Sequence, residues 1–338
     1  MAQRVRVIQF GLGPIGLALA EEVLAREDLE LVGGVDCAPE LAGRSLEEFL
    51  GPQVHHLPRI VPNLGDLPMP RGPRVVLHAT GSRLPEVAPQ LEEIISSGCH
   101  CVSSCEELSC PTLRHPGLAK HLDALAQEQR VGLVGAGVNP GFVLDLLPAV
   151  LSSACRRVDR VRASRIVDAA RRREPLRRKV GMGMRQDAYH ALEAARGGMG
   201  HVGLGESAAL LASALGWEGG TIAESSEPVV AAREVRAGET VIPPGWVLGT
   251  RTRVSLGIGG IERIALDLTI AAGVELEEDR IDLEGDPPLN LIVPGGIPGD
   301  SATASILVSV ARRIAAVAPG LHTMLTLPVA PRGAARPD

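Results

Sequence analysis

Aromatic residues are scarce in this chain: its 338 positions hold three Phe, two Trp and one Tyr. The core must therefore be aliphatic, and no arginine block is interleaved with rings in the manner of a nucleic-acid surface. Excess positive charge is missing too. The formal net charge is −6, which gives no electrostatic reason to expect nucleic acid. No run of eighteen apolar residues occurs, so no helical membrane span is expected. Cysteine is limited to six residues. In a chain this long they point to reduced thiols and a cytoplasmic protein. Four of them, Cys99, Cys101, Cys105 and Cys110, lie close together, but their C-x-C-x3-C-x4-C spacing is not a zinc pattern. No metal is expected, and the thiols read as buried or idle.

What is present is ordinary for a globular protein, with 45% hydrophobic and 22% charged residues in a length that suits two domains. The informative stretch is the first 36 residues. Arg4 to Phe10 reads as a buried strand, and Gly11-Leu12-Gly13-Pro14-Ile15-Gly16 follows it directly. A helix then starts with an apolar stripe through Leu17, Leu19, Ala20, Val23 and Leu24, and a second strand, Leu29 to Val35, ends at Asp36. Strand, G-x-G-x-x-G, helix, strand and an acid twenty residues past Gly16 is the dinucleotide-binding pattern. The first glycine allows the tight turn, the second lets a pyrophosphate approach the backbone, and the third lets helix and strand pack closely. The helix N-terminus then faces the phosphates. Arg4, Arg6 and the apolar run also mimic an export signal, but Gln9, Pro14 and the glycines interrupt it. NAD or NADP is the expected cofactor. Asp36 favours NAD, because a carboxylate bonds ribose hydroxyls and repels a 2′-phosphate; Arg44 would offset this.

Downstream, Val75 to Ala79 reads as a strand whose end, with Thr80 and Gly81, belongs beside the nicotinamide ribose. Glu86 to Ser97, His100 to Ser103, Leu118 to Glu128 and Val131 to Val134 continue the strand–helix alternation of a parallel doubly wound sheet. Past Asn139-Pro140-Gly141 the texture changes. A helix is expected from Phe142 to Leu151 and a strand over Val158 to Val167. Helices follow over Asp187 to Arg196 and Glu206 to Leu215, then strands over Val229 to Val235, Val247 to Ile258, Ile261 to Ala271 and Leu289 to Val293. A last apolar helix, Ala302 to Val317, is expected to return to the first domain. The fold class is thus α/β: an N-terminal Rossmann sheet plus a C-terminal α+β substrate domain with a largely antiparallel sheet. Residues 1–138 with 299–338 would bind the dinucleotide, and 139–298 would form the substrate and dimerisation domain.

Two stretches carry candidate chemistry. In Ser103-Ser104-Cys105-Glu106-Glu107 an acidic pair follows a strand end that faces the nicotinamide crevice, with Ser104 and Cys105 beside the cofactor. Either the carboxylates serve as general acid and base, or they are first-turn acids complementing a helix dipole. At Asn139 the amide either holds the cofactor's carboxamide or the substrate, or merely forms a turn. The run Arg171-Arg172-Arg173 with Arg177, Arg178 and Lys179 reads as a solvated edge or, alternatively, an anion clamp.

On SSCEEL, GVNPGF and RIVDAARRR, with GLGPIG, GHVGLGES and PGGIPGDSATASILV beside them, the chain resembles the 2,4-diaminopentanoate dehydrogenases and native amine dehydrogenases. Through its N-terminal domain it is more distantly similar to dihydrodipicolinate reductase. It departs from the pattern at Pro298, where relatives often carry histidine. The resemblance implies reversible conversion of a small primary amine to its ketone and ammonia with NAD(H) or NADP(H). It makes Glu106 the catalytic carboxylate, with Glu107 second, and implies a homodimer. Expected pocket walls are Asn139, Phe142, Met182, Met184, Tyr189 and Thr303; His201 is assigned to structure rather than substrate. Arg165 or the arginine run could meet a substrate carboxylate. Competing readings are an imine or semialdehyde reductase and a nicotinamide-binding sensor without turnover.

Overall fold

Chain alternation of continuous apolar strands with amphipathic helices builds a parallel sheet first. The computed structural model describes residues 4–51, 57, 59–68, 72, 74–196 and 198–328. Within the 57–73 stretch expected to be loop, residues 58, 69–71 and 73 fall outside these. Two compact units result, residues 1–142 with 298–338 and residues 143–297.

The first unit runs β1 (Val5–Phe10), α1 (Pro14–Leu24), β2 (Leu29–Val35), α2 (Glu47–Leu50), β3 (Ile60–Val61) and β4 (Arg74–His78). It continues with α3 (Leu84–Ser96), β5 (His100–Ser103), α4 (Pro116–Glu128) and β6 (Gly132–Gly135). These strands pair in parallel in the order β6-β5-β4-β1-β2-β3, the doubly wound arrangement whose order reverses beside β1. Near-complete burial of Val7, Ile8, Val75, Val76, Val102 and Leu133 explains why these strands read as unbroken apolar runs. Cys99, Cys101 and Cys105 belong to one apolar cluster with Leu91, Ile94 and Leu122. Burial pushes the Cys101 thiol up, and Cys105 up to about 12, so both stay protonated at neutral pH.

The second unit starts with α5 (Leu146–Ser152) and β7 (Arg157–Asp168), then α6 (Glu174–Lys179), α7 (Gln186–Arg196) and α8 (Leu204–Ala214). Its strands β8 (Thr221–Val230), β9 (Val235–Ala237), β10 (Thr240–Ile242), β11 (Val247–Ile258), β12 (Ile261–Ala271), β13 (Glu278–Asp286) and β14 (Leu289–Pro294) complete it. Five of these together with β7 form one sheet in the order β14-β13-β7-β12-β11-β8, antiparallel except for β7 against β12; β9 and β10 pair separately. The expected strand over Val229–Val235 is corrected. Its residues end β8 and begin β9, with the Ala231–Glu234 turn between them. The helix expected from Phe142 starts only at Leu146, because the buried Asp145 carboxylate accepts the Leu146 N–H at 2.6 Å and fixes the cap there. The chain then re-enters the first unit with α9 (Gly299–Ile314), which packs on α1, and β15 (Gly320–His322), which extends the parallel sheet beside β6.

Candidate active site

The carboxyl edge of the first sheet is shaped by backbone bonds that outlast the strands. Gly11 N–H donates to Val35 O, Ala79 N–H to Phe10 O, Ser104 N–H to His78 O and Ala136 N–H to Ser103 O, all at 2.8–2.9 Å. Loops leaving β1, β4, β5 and β6 are thereby brought together at the point where strand order reverses.

In the first of these loops Gly11 has φ +88°, and a Cβ there would lie 2.5 Å from the Ala79 carbonyl oxygen. A Cβ on Gly16 would fall 1.8 Å from the Gly11 oxygen, so helix and turn can touch only through glycine. Gly13 is the opposite case, with nothing within 4 Å of a Cβ position and no side chain capping α1. The open space and the uncapped helix N-terminus suit a pyrophosphate. Leu12 N–H donates to Asp36 Oδ2 at 2.7 Å and Ala38 N–H to Oδ1 at 2.9 Å, so the acid is held between the glycine turn and its own loop. The residues present therefore fit a dinucleotide. Pro14 and Ile15 open α1 behind this turn.

The Arg44 guanidinium bonds Glu48 at 2.9 Å and stacks 4.4 Å over the Phe49 ring. Glu48 is in turn held below the usual carboxylate range, first by the Ser45 N–H and then by Arg44.

Beyond β5 the chain turns through a 3-10 segment, Glu106–Ser109, and the two acids part company. Glu107 is buried; its Oε2 accepts the Leu84 N–H at 2.8 Å and contacts His115 Nε2 at 3.0 Å, with Arg83 3.8 Å from Oε1. It ties the turn to the starts of α3 and α4. Glu107, the second choice for the catalytic carboxylate, has its oxygens engaged with protein. Glu106 is half-buried at the start of the turn. Asn139 is buried and Phe142 half-buried, and Thr303 Oγ1, on α9, accepts the Val138 N–H at 3.3 Å.

Two residues that meet at this edge, His78 and Gln90, escape a reading by motif. His78, fully buried at the end of β4, places Nδ1 2.8 Å from Ser103 Oγ and Nε2 2.8 Å from both Gln90 Oε1 and Thr80 Oγ1. Burial pushes the imidazole down to about 4, against the rise that its Gln90 bond favours. A lone histidine in an apolar strand gives no periodic signal. Its one cue in sequence is polarity where the strand pattern calls for Val or Ile.

In the second unit the expected pocket residues are placed differently from the reading. Tyr189 is fully buried, its hydroxyl 3.0 Å from Thr250 Oγ1, in a cluster with Met199 and Val247; it is core, not wall. Met182 packs beside Ala231, Ala237, Ile242 and Ala272. Arg165 is buried against Asp279 at 3.1 Å and also donates to the Ile297 carbonyl, while Ile297 N–H donates to Asp279 Oδ2 at 2.7 Å. Arg165 is therefore committed to protein rather than to a substrate carboxylate. Desolvation pushes Asp279 up and Arg165 down, each opposed by the charge of the other. In the arginine run, Arg171 and Arg172 face Glu277 at 3.6–3.7 Å.

Known proteins resemble this chain in sequence and in fold. Residues 142–335 match the 2,4-diaminopentanoate dehydrogenase C-terminal domain. The 2,4-diaminopentanoate dehydrogenase of Acetoanaerobium sticklandii is 27% identical over 335 residues, 97% of this chain and 94% of that protein. An amine dehydrogenase from Mycobacterium smegmatis superposes with a TM-score of 0.83 at 21% identity, covering 97% of both chains. A dipicolinate-bound dihydrodipicolinate reductase from Paenisporosarcina sp. TG-14 gives 0.52 at 15% identity over 94% of this chain and 97% of that one. The domain match extends over more than half of the sequence, and the chain belongs to the 2,4-diaminopentanoate dehydrogenase family.

Proposed function

We infer that this protein is an NAD(P)-dependent amine dehydrogenase that interconverts a small primary amine with its ketone and ammonia, with NAD preferred. The observation that carries the reading is a dinucleotide turn sharing one sheet edge with a half-buried acid on the SSCEEL turn, in a chain of this family. The Gly11–Gly16 turn and α1 would hold the pyrophosphate, Asp36 the adenosine ribose hydroxyls, and Thr80, Gly81 and Asn139 the nicotinamide half. Backbone at Ala79, Ser104 and Cys105 would line that end. Bound dinucleotide supplies or accepts the hydride.

Glu106 would take a proton from the substrate ammonium, leaving a neutral amine whose carbon can release hydride. Once that proton passes on to solvent, the regained carboxylate charge of Glu106 would stabilise the iminium cation. Water adds to that carbon and ammonia leaves as the ketone forms. Asp36, held by two backbone N–H groups and with Arg44 turned onto Glu48, disfavours a 2′-phosphate.

The test is absorbance at the NADH band with 2,4-diaminopentanoate and NAD, and in reverse with ammonium and a panel of small ketones. Ammonium-dependent turnover that falls about a thousandfold in Glu106→Ala supports the reading. Ammonium-independent turnover would replace it with an imine or carbonyl reductase.

The outer face of the large second-unit sheet suits a second copy of the chain. A concavity of about 500 Å³ there has Ser164, Ala265 and Ser255 among its lining, flanked by Arg162, Arg253, Asp267 and Asp282. Small residues permit close approach, and interspersed charges of both signs can pair across a two-fold axis. Light scattering should give twice the mass of one chain, and one-chain mass in Arg253→Glu.

A further inference from the structure

The His78 network links two of the loops that form the sheet's carboxyl edge, and its protons can be assigned one by one. Gln90 Oε1 is an acceptor, and two groups reach it: His78 Nε2 at 2.8 Å and Thr80 Oγ1 at 2.5 Å. Nε2 therefore carries the imidazole proton, and the Thr80 hydroxyl proton is consumed by Gln90. Nδ1, left bare, accepts the Ser103 hydroxyl proton at 2.8 Å, and Ser103 Oγ in turn accepts the Cys105 N–H at 3.1 Å. The His78 Nε2 proton, the Thr80 and Ser103 hydroxyl protons and the Cys105 N–H thus each have an acceptor. A charged imidazole would put a second proton against Ser103 in a fully buried site, and burial holds the ring neutral at working pH.

One end of this chain is Cys105 N, the residue before Glu106. The other end is Thr80, which is exposed to solvent although its side chain is fixed from behind. With its proton turned inward, Thr80 Oγ can offer only lone pairs outward. We propose that His78, Gln90 and Ser103 are positioning residues for the reaction. They hold Thr80 Oγ as an obligate hydrogen-bond acceptor for an N–H or O–H donor on the nicotinamide half of the cofactor, and they fix the base of the Glu106 turn in the same network. A histidine retained only for packing would be satisfied by nearby carbonyls. Here its partners are side chains from β5, α3 and the loop after β4, and two of those bear directly on the site.

The inference rests on reading this edge as the dinucleotide site, and the experiment separates the two. NADH affinity is measured by calorimetry for the wild type, Thr80→Val, Gln90→Met and the double variant. Wild-type binding with a weakening of about five- to tenfold in each single variant, and no further loss in the double, is the expected result. Gln90→Met binding as the wild type does, or losses that multiply in the double variant, would overturn the relay while leaving the cofactor site intact. A wild type that fails to bind NADH would overturn both. Nitrogen-15 NMR of the imidazole gives a readout independent of ligand: His78 should carry its proton on Nε2 from pH 6 to 8. A proton on Nδ1 overturns the assignment.

Discussion

The buried polar groups of the two units differ in emphasis, although Glu107 and Arg26 in the first also join one element to another. In the first, the buried polar residues Gln9, His78 and Ser103 cluster where strands end, and they bond to the loops that shape a site: Gln9 Nε2 donates to Gly11 O at 2.9 Å, and Ser103 Oγ receives Cys105 N–H. In the second, Asp145, Arg165, Asp279 and Tyr189 bond one structural element to another: Ser207 to Asp145, β7 to β13, α7 to β11. The first pattern organises a surface for a ligand; the second closes a framework. Buried polarity is therefore informative only once its partners are known.

That contrast can be broken experimentally. The largest effect should come from the framework side. Asp279→Ala strands the Arg165 guanidinium in a buried site and removes the acceptor of Ile297 N–H, which should cost about 3–5 kcal/mol in urea unfolding. The fraction that remains folded should keep its affinity for NADH. A variant that is stable yet loses NADH binding would erase the distinction between the two regions.

A smaller effect belongs to His78. Its folded-state value near 4 lies below the ordinary 6.5, so the unfolded chain takes up a proton that the folded chain refuses. Stability from this group is complete above pH 6.5 and declines as pH falls toward 4, by about 3 kcal/mol in total. Urea midpoints at pH 7, 5.5 and 4.5 should show this decline in the wild type and a shallower one in His78→Gln. An equal slope in both would assign the acid sensitivity to other groups.

Sequence was a good guide where the physics is local. The glycine turn, its flanking strands and Asp36 lie within one short segment, and each constrains its neighbours, so the pattern could be read without a partner elsewhere. Continuous apolar strands of the parallel sheet were legible for the same reason. β8 was not: TIAESSEPVV is largely exposed along its length, and pairing with β11 alone makes it a strand. β13 was missed because Asp279 occupies a buried strand position and is tolerated only through Arg165, 114 residues away. The pocket role expected of Tyr189 failed on a comparable long-range contact, with Thr250. In the candidate site, Glu106 and Thr80 can be named as candidates from their places after strand ends. The residues holding Thr80 in place were not, since His78, Gln90 and Ser103 share no spacing and meet only after folding.

One pair of contacts has a meaning for how such chains diversify. Asp145 stands three residues inside the start of the second unit, bonded to Leu146 N–H and Ser207 Oγ. Ile297 is its last residue, and both of its backbone polar groups are gripped by the Arg165–Asp279 pair. Leu146, Ser207, Arg165 and Asp279 all lie inside residues 143–297. The segment thus carries its own fasteners, like a cassette whose latches are moulded into it. Cut at those two points, it would leave with both ends still closed.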